Sequence, residues 1–250
     1  MKRKLIVFSL LVSLFMFSSV GLAAPKHLLL IAKPDQTLAL SDYLGSSFTL
    51  TVANEADLLD PNSELFTPEA MAGYDGVFVG ELVLGAGTNG SLIMDPDLQL
   101  AIQERVKAGA GFVHIGGWCS YQGGMADWSG QWHGTPIDGI LPVDISSSWD
   151  TYDDGAEIPR LMDPKHPIVA GLDWRALQRV GGYNKVTVAE GGHVVMSDPK
   201  TKLPLIVTGT YGEGKTVAFL PGLAGGWDED FRKWSDFPQL WVQIAQFLTE

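Results

Sequence analysis

Apolar residues run along the first half of the chain in two alternating rhythms. Short unbroken runs of strand length occur at His27 to Ala32 (HLLLIA), Phe48 to Val52 (FTLTV) and Gly76 to Val79 (GVFV). Between the second and third, Pro68 to Ala72 suits a short helix. Residues Pro96 to Ala108 predict a longer one. Asp95 can cap it, Pro96 suits its first position, Gly109 suits its exit, and Leu98, Ile102 and Val106 share one face at spacing four. Phe112 to Ile115 follows at once as another apolar run. Continuous apolar strands between helices indicate a parallel sheet covered on both faces, and such sheets take ligands beyond the carboxyl ends of their strands. That rule places Glu81, Leu82 and the 116–124 loop at the expected ligand edge.

The rhythm changes in the second half. Residues 120 to 185 are rich in glycine, proline and tryptophan with little periodicity, and they predict long ordered loops. Strands are then expected at Val186 to Val188, Val194 to Met196, Leu205 to Val207 and Thr216 to Phe219. The last two are joined as a hairpin by Tyr211-Gly212-Glu213-Gly214-Lys215. Pro238 opens a closing helix whose buried stripe is expected to be Leu240, Ile244, Phe247 and Leu248.

The N-terminus stands apart from this pattern. Lys2, Arg3 and Lys4 precede an apolar run from Leu5 to Val20, then Gly21-Leu22-Ala23-Ala24 supplies the small residues a signal peptidase reads. The run is shorter than the roughly 20 residues of a membrane span. Residues 1–23 are therefore expected to be a signal peptide, leaving a single domain over 24–250 in the periplasm or outside the cell, with no membrane attachment after cleavage. The formal charge of −12 includes the three leading cations, so the chain after them carries −15. So acidic a protein repels nucleic acid and anionic lipid. One cysteine excludes an internal disulfide. No solenoid-period repeat is present, and a protein partner is not readable from the sequence.

Six stretches, in order, carry a resemblance: "YDGVFVGEL" (74–82), "VKAGAGFVHIGGWCSYQG" (106–123), "HGTPIDGILPV" (133–143), "HPIVAGL" (166–172), "YGEGKTVAFLPG" (211–222) and "WDEDFRKW" (227–234). Together they resemble the class I glutamine amidotransferase-like superfamily, and within it the branch related to trehalose-utilisation-type proteins. The resemblance implies an α/β, flavodoxin-like three-layer sandwich with a mainly parallel sheet, elaborated here by a loop-rich second half containing a β-hairpin. It also implies where a Cys-His-Glu triad belongs. Aligning strand ends puts Gly116, rather than Cys119, at the nucleophile position. Leu220 stands for the base and Gly222 for its orienting carboxylate. The glutaminase triad is thus expected to be lost.

Several other side chains compete for a functional role. Cys119 is a nucleophile if His133 or His166 serves as its base; otherwise it is a packed thiol. Glu81 and Asp228 form an acid–base or cation-binding pair if they meet in space; otherwise Asp228 caps the final loop and helix. Trp118, Tyr121, Gln122, Trp128 and Trp132 suit a sugar or other small ligand, unless the rings only pin a long loop to the sheet. His114 reads as an interior histidine and His193 as an exposed one. No metal-ligand spacing occurs, and the glycine turns are not phosphate loops, so neither metal nor cofactor is expected. The expected function is that of an exported, triad-less amidotransferase-like protein binding a small molecule, in one form a carbohydrate, at the carboxyl edge. A hydrolase built on Cys119 or on Glu81 with Asp228, and a structural interaction module, are the alternatives.

Overall fold

The computed structural model describes residues 24–82, 94–123, 129–156 and 158–250. The expected signal segment and Trp128 lie outside these residues.

Five parallel strands form the heart of the molecule: β1 (His27–Ile31), β2 (Thr49–Ala53), β3 (Gly76–Val79), β4 (Gly111–Gly116) and, much later in the chain, the strand Gly214–Gly222. The connecting segments include α1 (Pro34–Leu44), α2 (Glu55–Leu59), α3 (Pro68–Ala72) and α4 (Pro96–Lys107). The second half adds β5 (Val143–Ile145), β6 (Thr151–Tyr152), β7 (Arg160–Leu161), β8 (Tyr183–Asn184), β9 (Val186–Val188), β10 (His193–Ser197) and β11 (Pro204–Tyr211), and Gly214–Gly222 is β12. It closes with α5 (Glu229–Arg232) and α6 (Phe237–Thr249).

The main sheet runs β2-β1-β3-β4-β12-β11-β10-β7, with β6 and β8 joined to it beside β12. From β2 to β12 it is parallel; β11, β10 and β7 continue it antiparallel. This is a mixed, mostly parallel α/β sheet of flavodoxin-like type, with the expected hairpin at β11–β12. β3 and β4 are buried along their whole length, as strands covered on both faces must be. On one face, Trp241 of α6 packs on Phe219 with ring centroids 4.8 Å apart. The buried stripe of α6 comprises Phe237, Leu240, Trp241, Ile244, Ala245 and Leu248, while Phe247 is only partly buried.

α1 escapes the apolar pattern because Gln36 and Thr37 are among its buried positions along with Leu40 and Leu44. The 120–185 region, read as loops, also contains four two- or three-residue strands, too short to leave a periodic trace.

Candidate functional site

The carboxyl end of β4 is the point where the superfamily's nucleophile would stand. Gly116 is the last residue of that strand, and it pairs with Gly222 after an irregularity in β12. The irregularity swings the backbone of Leu220 across Gly116. A Cβ on Gly116 would lie 2.0 Å from the Leu220 carbonyl oxygen and 2.7 Å from that of Pro221. No side chain fits there, nucleophilic or otherwise. Leu220 itself is fully buried. Immediately after β4, residues 117–123 form turns and bends rather than a helix.

Beside this closed position, Glu81 follows β3 and is only 8% exposed. Its Oε2 accepts from Lys33 Nζ at 2.6 Å and from Gln36 Nε2 at 3.5 Å. The Gln36 side-chain carbonyl takes the Glu81 backbone N–H at 2.7 Å, and the Lys33 N–H donates to the Glu81 carbonyl at 3.2 Å. The carboxylate is thereby clamped across the ends of β1 and β3. Between those two strands the sheet order reverses, which is where doubly wound sheets bind ligands. Burial raises the Glu81 pKa, opposed by the bond and charge of Lys33. The carboxylate's contacts with Lys33 and Gln36 both fall on Oε2. Gly117 makes room for this group: a Cβ there would sit 2.9 Å from Glu81 Oε2. The strand-end rule that singles out Glu81 also reaches Lys33 and Gln36 just beyond β1, but the sequence reading did not apply it there.

Asp228 approaches the same glycines from the β12 side. Oδ1 accepts from the N–H of Gly181 at 2.7 Å and of Gly182 at 3.3 Å, while Oδ2 accepts from the N–H of Gly222. Burial pushes its pKa up to about 6 against those three donors. Both oxygens are committed to backbone, so Asp228 fastens the loop after β12 to residues 181–182. Its side chain makes no cap hydrogen bond to α5, the other role the sequence leaves open for it. Asn184, which sequence reasoning missed, accepts the Gly117 N–H at 3.2 Å through Oδ1, and its Nδ2 is buried without a partner.

Cys119 is buried, and the Thr151 hydroxyl donates to its sulfur at 3.9 Å. Its φ of 61° puts a non-glycine residue in the left-handed region, a strain of about 1–2 kcal/mol. The Gly130 N–H helps hold it there by donating to the Cys119 carbonyl at 2.8 Å. Neither histidine comes forward as its base. His133 donates from Nδ1 to the Ile145 carbonyl at 2.7 Å. His166 packs on Phe247, whose ring also lies under Lys215 at the start of β12, so it sits toward the opposite end of the strands from Cys119. His193 is partly stacked on His166 and bonds Asp163 at 3.1 Å.

The aromatic cluster divides. Tyr121 and Trp132 are core residues, packed edge-on against His114 at 4.3 and 5.4 Å between ring centroids. They pin the loop to the sheet. Gln122 is spent inside the loop: its N–H goes to Asp150 and its Oε1 accepts the His133 N–H. Trp118 differs, being 45% exposed, and it meets Trp149, 48% exposed, edge to face at 6.4 Å. Trp149 lies in a stretch without periodicity, which is why sequence reasoning passed it by.

A cavity of about 410 Å³ opens next to the Lys33–Glu81 pair, lined by Lys33, Thr37, Ala53, Asn54, Leu58 and Leu82 among others. A larger hollow of about 800 Å³ lies among Asp154, Gln178, Arg179 and Lys200. Polar groups there are used locally: Arg179 donates to the Asp154 carbonyl, and Asp198 takes Tyr183, Lys200 and Thr201. The smaller cavity is therefore the better ligand site. Among the described residues, no three His, Cys, Asp or Glu side chains are placed to hold a metal ion, and no helix is long and apolar enough to cross a membrane.

Comparison with known proteins bears on this arrangement. The family model GATase1_like, described as putative glutamine amidotransferase, matches residues 67–250. No curated protein matches the chain by sequence. Among solved structures, the cytoplasmic protein STM3548 of Salmonella typhimurium superposes with a TM-score of 0.72 at 22% identity, over 89% of this chain and 98% of that one. The cytoplasmic protein STM1381 of Salmonella typhimurium LT2 gives 0.73 at 20% identity, over 90% and 100%. Agd3, a carbohydrate deacetylase, gives 0.54 at 14% identity, over 90% of this chain and 32% of that protein. Likeness at such identities speaks for the fold alone.

Proposed function

The chain belongs to the putative glutamine amidotransferase family, and on that premise we propose that it acts without glutaminase chemistry, as an exported protein that binds a small molecule at the carboxyl edge of its sheet. One observation carries the first half: the Leu220 carbonyl lies 2.0 Å from where a Gly116 Cβ would be, so the aligned nucleophile position holds no side chain. The second half draws support from Glu81, whose Oε2 is held by Lys33 and Gln36 beside a 410 Å³ cavity. A carboxylate clamped in one orientation is a preorganised acceptor for a ligand hydroxyl or amine.

Ammonia release from glutamine should match a buffer blank; release abolished by Cys119→Ser would overturn the first half. A thermal-shift screen against a library of polar metabolites should yield a ligand that stabilises the wild type and is lost in Glu81→Gln. A wild type that responds to nothing, or a shift unchanged in the variant, would sink the second. Export rests on the basic, apolar and small-residue order of residues 1–24, and exported material should begin at Ala24. The hydrolase alternative has one observation in its favour, the left-handed backbone at Cys119, since strained residues cluster at functional sites. Rapid thiol labelling at pH 6 would revive it.

A further inference from the structure

We propose that Trp118 and Trp149 form a stacking platform for a neutral saccharide. The proposal rests on the carboxyl-edge binding reading and names its ligand class.

The contrast among the tryptophans starts the argument. Trp132 is buried in the core, as an anchoring ring must be, whereas Trp118 and Trp149 stand about half exposed and touch each other edge to face. Both are mounted on backbone that buried polar groups lock in place. Before Trp118, the Gly117 N–H is taken by Asn184. After it, Ser120 bonds the Gly117 carbonyl through its N–H at 3.1 Å and the Ile115 carbonyl through its hydroxyl at 2.7 Å. After Trp149, the Asp150 carboxylate receives the N–H groups of Gln122 and Gly123 at 2.9 and 2.8 Å. The same carboxylate thus ties the segment of one ring to the segment of the other. Two exposed rings on one rigid frame have little ordering entropy left to lose on binding.

Size and charge choose the occupant. An aromatic side chain offers about 150–250 Å², so the two rings leave on the order of 200 Å² open, against roughly 800 Å² per partner in a standard protein interface. That area suits a small flat-faced ligand and is too little for a stable protein complex. The ring faces carry negative quadrupole potential and pack against C–H groups, which a sugar ring presents on its flat side. Hydroxyl groups have exposed partners nearby in Ser146 and Ser148, just before Trp149. The chain's charge of −12 opposes phosphorylated or acidic ligands.

The test uses the full mature chain and four neutral probes: cello-, malto-, xylo- and chito-hexaose. Saturation-transfer NMR and calorimetry are run on wild type, Trp118→Ala, Trp149→Ala and Glu81→Gln, with Trp118→Phe and Trp149→Phe in case truncation disturbs the fold. At least one probe should bind, with saturation strongest on ring-face C–H protons. Either alanine variant should weaken binding at least 10-fold with an unchanged melting temperature, and the phenylalanine variants should retain part of it. Failure of all four probes, or equal binding in both tryptophan variants, overturns the platform. If a non-sugar metabolite then stabilises the wild type and is lost in Glu81→Gln, the carboxyl-edge reading stands while the platform falls. A concentration-dependent dimer dissolved by Trp118→Ala would make a second copy the occupant, and would also overturn it.

Discussion

His114 makes the acid stability of this protein calculable. It lies in β4, wholly buried, with Tyr121 and Trp132 edge-on to its ring and with both ring nitrogens lacking a hydrogen-bond partner. Burial drives its pKa down to about 3, whereas in the unfolded chain an imidazole titrates near 6.5. Between those values the unfolded state holds one more proton than the native state. A depressed folded-state pKa leaves stability intact above the unfolded pKa and removes it as the pH falls. The slope for one proton is about 1.4 kcal/mol per pH unit, so the loss from His114 between pH 6.5 and 5 is about 2 kcal/mol. Replacing it with phenylalanine keeps a ring in the aromatic box and removes two unsatisfied nitrogens. A volume-conserving swap of this kind shifts stability by less than about 1.5 kcal/mol, and that offset should hold above pH 7. At pH 5 the variant should be more stable than at neutrality, relative to wild type, by about 2 kcal/mol. Asp228 works in the opposite direction: its raised pKa favours the fold at low pH, and that contribution is lost as the pH rises through about 6. His166, lowered by burial, adds to the acid loss. Both are present in the two proteins and cancel in the difference. Urea denaturation followed by tryptophan fluorescence, at half-unit steps from pH 5.0 to 7.5, measures that difference. A gap between variant and wild type that stays constant across the range would refute the reasoning.

Three further outcomes follow from the geometry. Trp132→Ala should cost about 3–5 kcal/mol, as removal of a large buried ring does, while Trp118→Ala should cost under about 1 kcal/mol; equal denaturation midpoints for the two would dissolve the distinction between anchor and platform. Gly116→Ala places a methyl group 2.0 Å from a backbone oxygen and should cost about 3 kcal/mol or more, read as a lowered melting temperature or insoluble expression; a wild-type melt would mean that β12 does not cross there. Asp228→Ala strands the N–H groups of Gly181, Gly182 and Gly222 and should cost about 3 kcal/mol or more at roughly 1–3 per orphaned group, whereas an unchanged urea midpoint would show those bonds to be dispensable.

Local pattern determined much of the architecture. The apolar runs at β1, β3 and β4, the capped and proline-led α4, the β11–β12 hairpin and the proline-opened α6 were all legible, because buried strands and capped helices write their periodicity into neighbouring residues. The same reading brought Glu81 and Asp228 to the strand ends, while the family resemblance assigned Gly116 and Gly222 to triad positions. Tertiary structure decided what those residues do. That Asp228 ties Gly181 and Gly182 to the end of β12, that Glu81 is clamped by Lys33 and Gln36, and that Leu220 closes over Gly116 are contacts between segments tens to more than a hundred residues apart, invisible to any local pattern. The aromatic loop shows the limit most plainly. Trp118, Tyr121 and Trp132 are alike as letters in a glycine-rich stretch, and only the path of the backbone buries two of them against His114 and leaves the third outside beside Trp149. Composition says how many rings a chain has to bury, but which ones are buried depends on packing volume, which exists only once the sheet and its loops have come together.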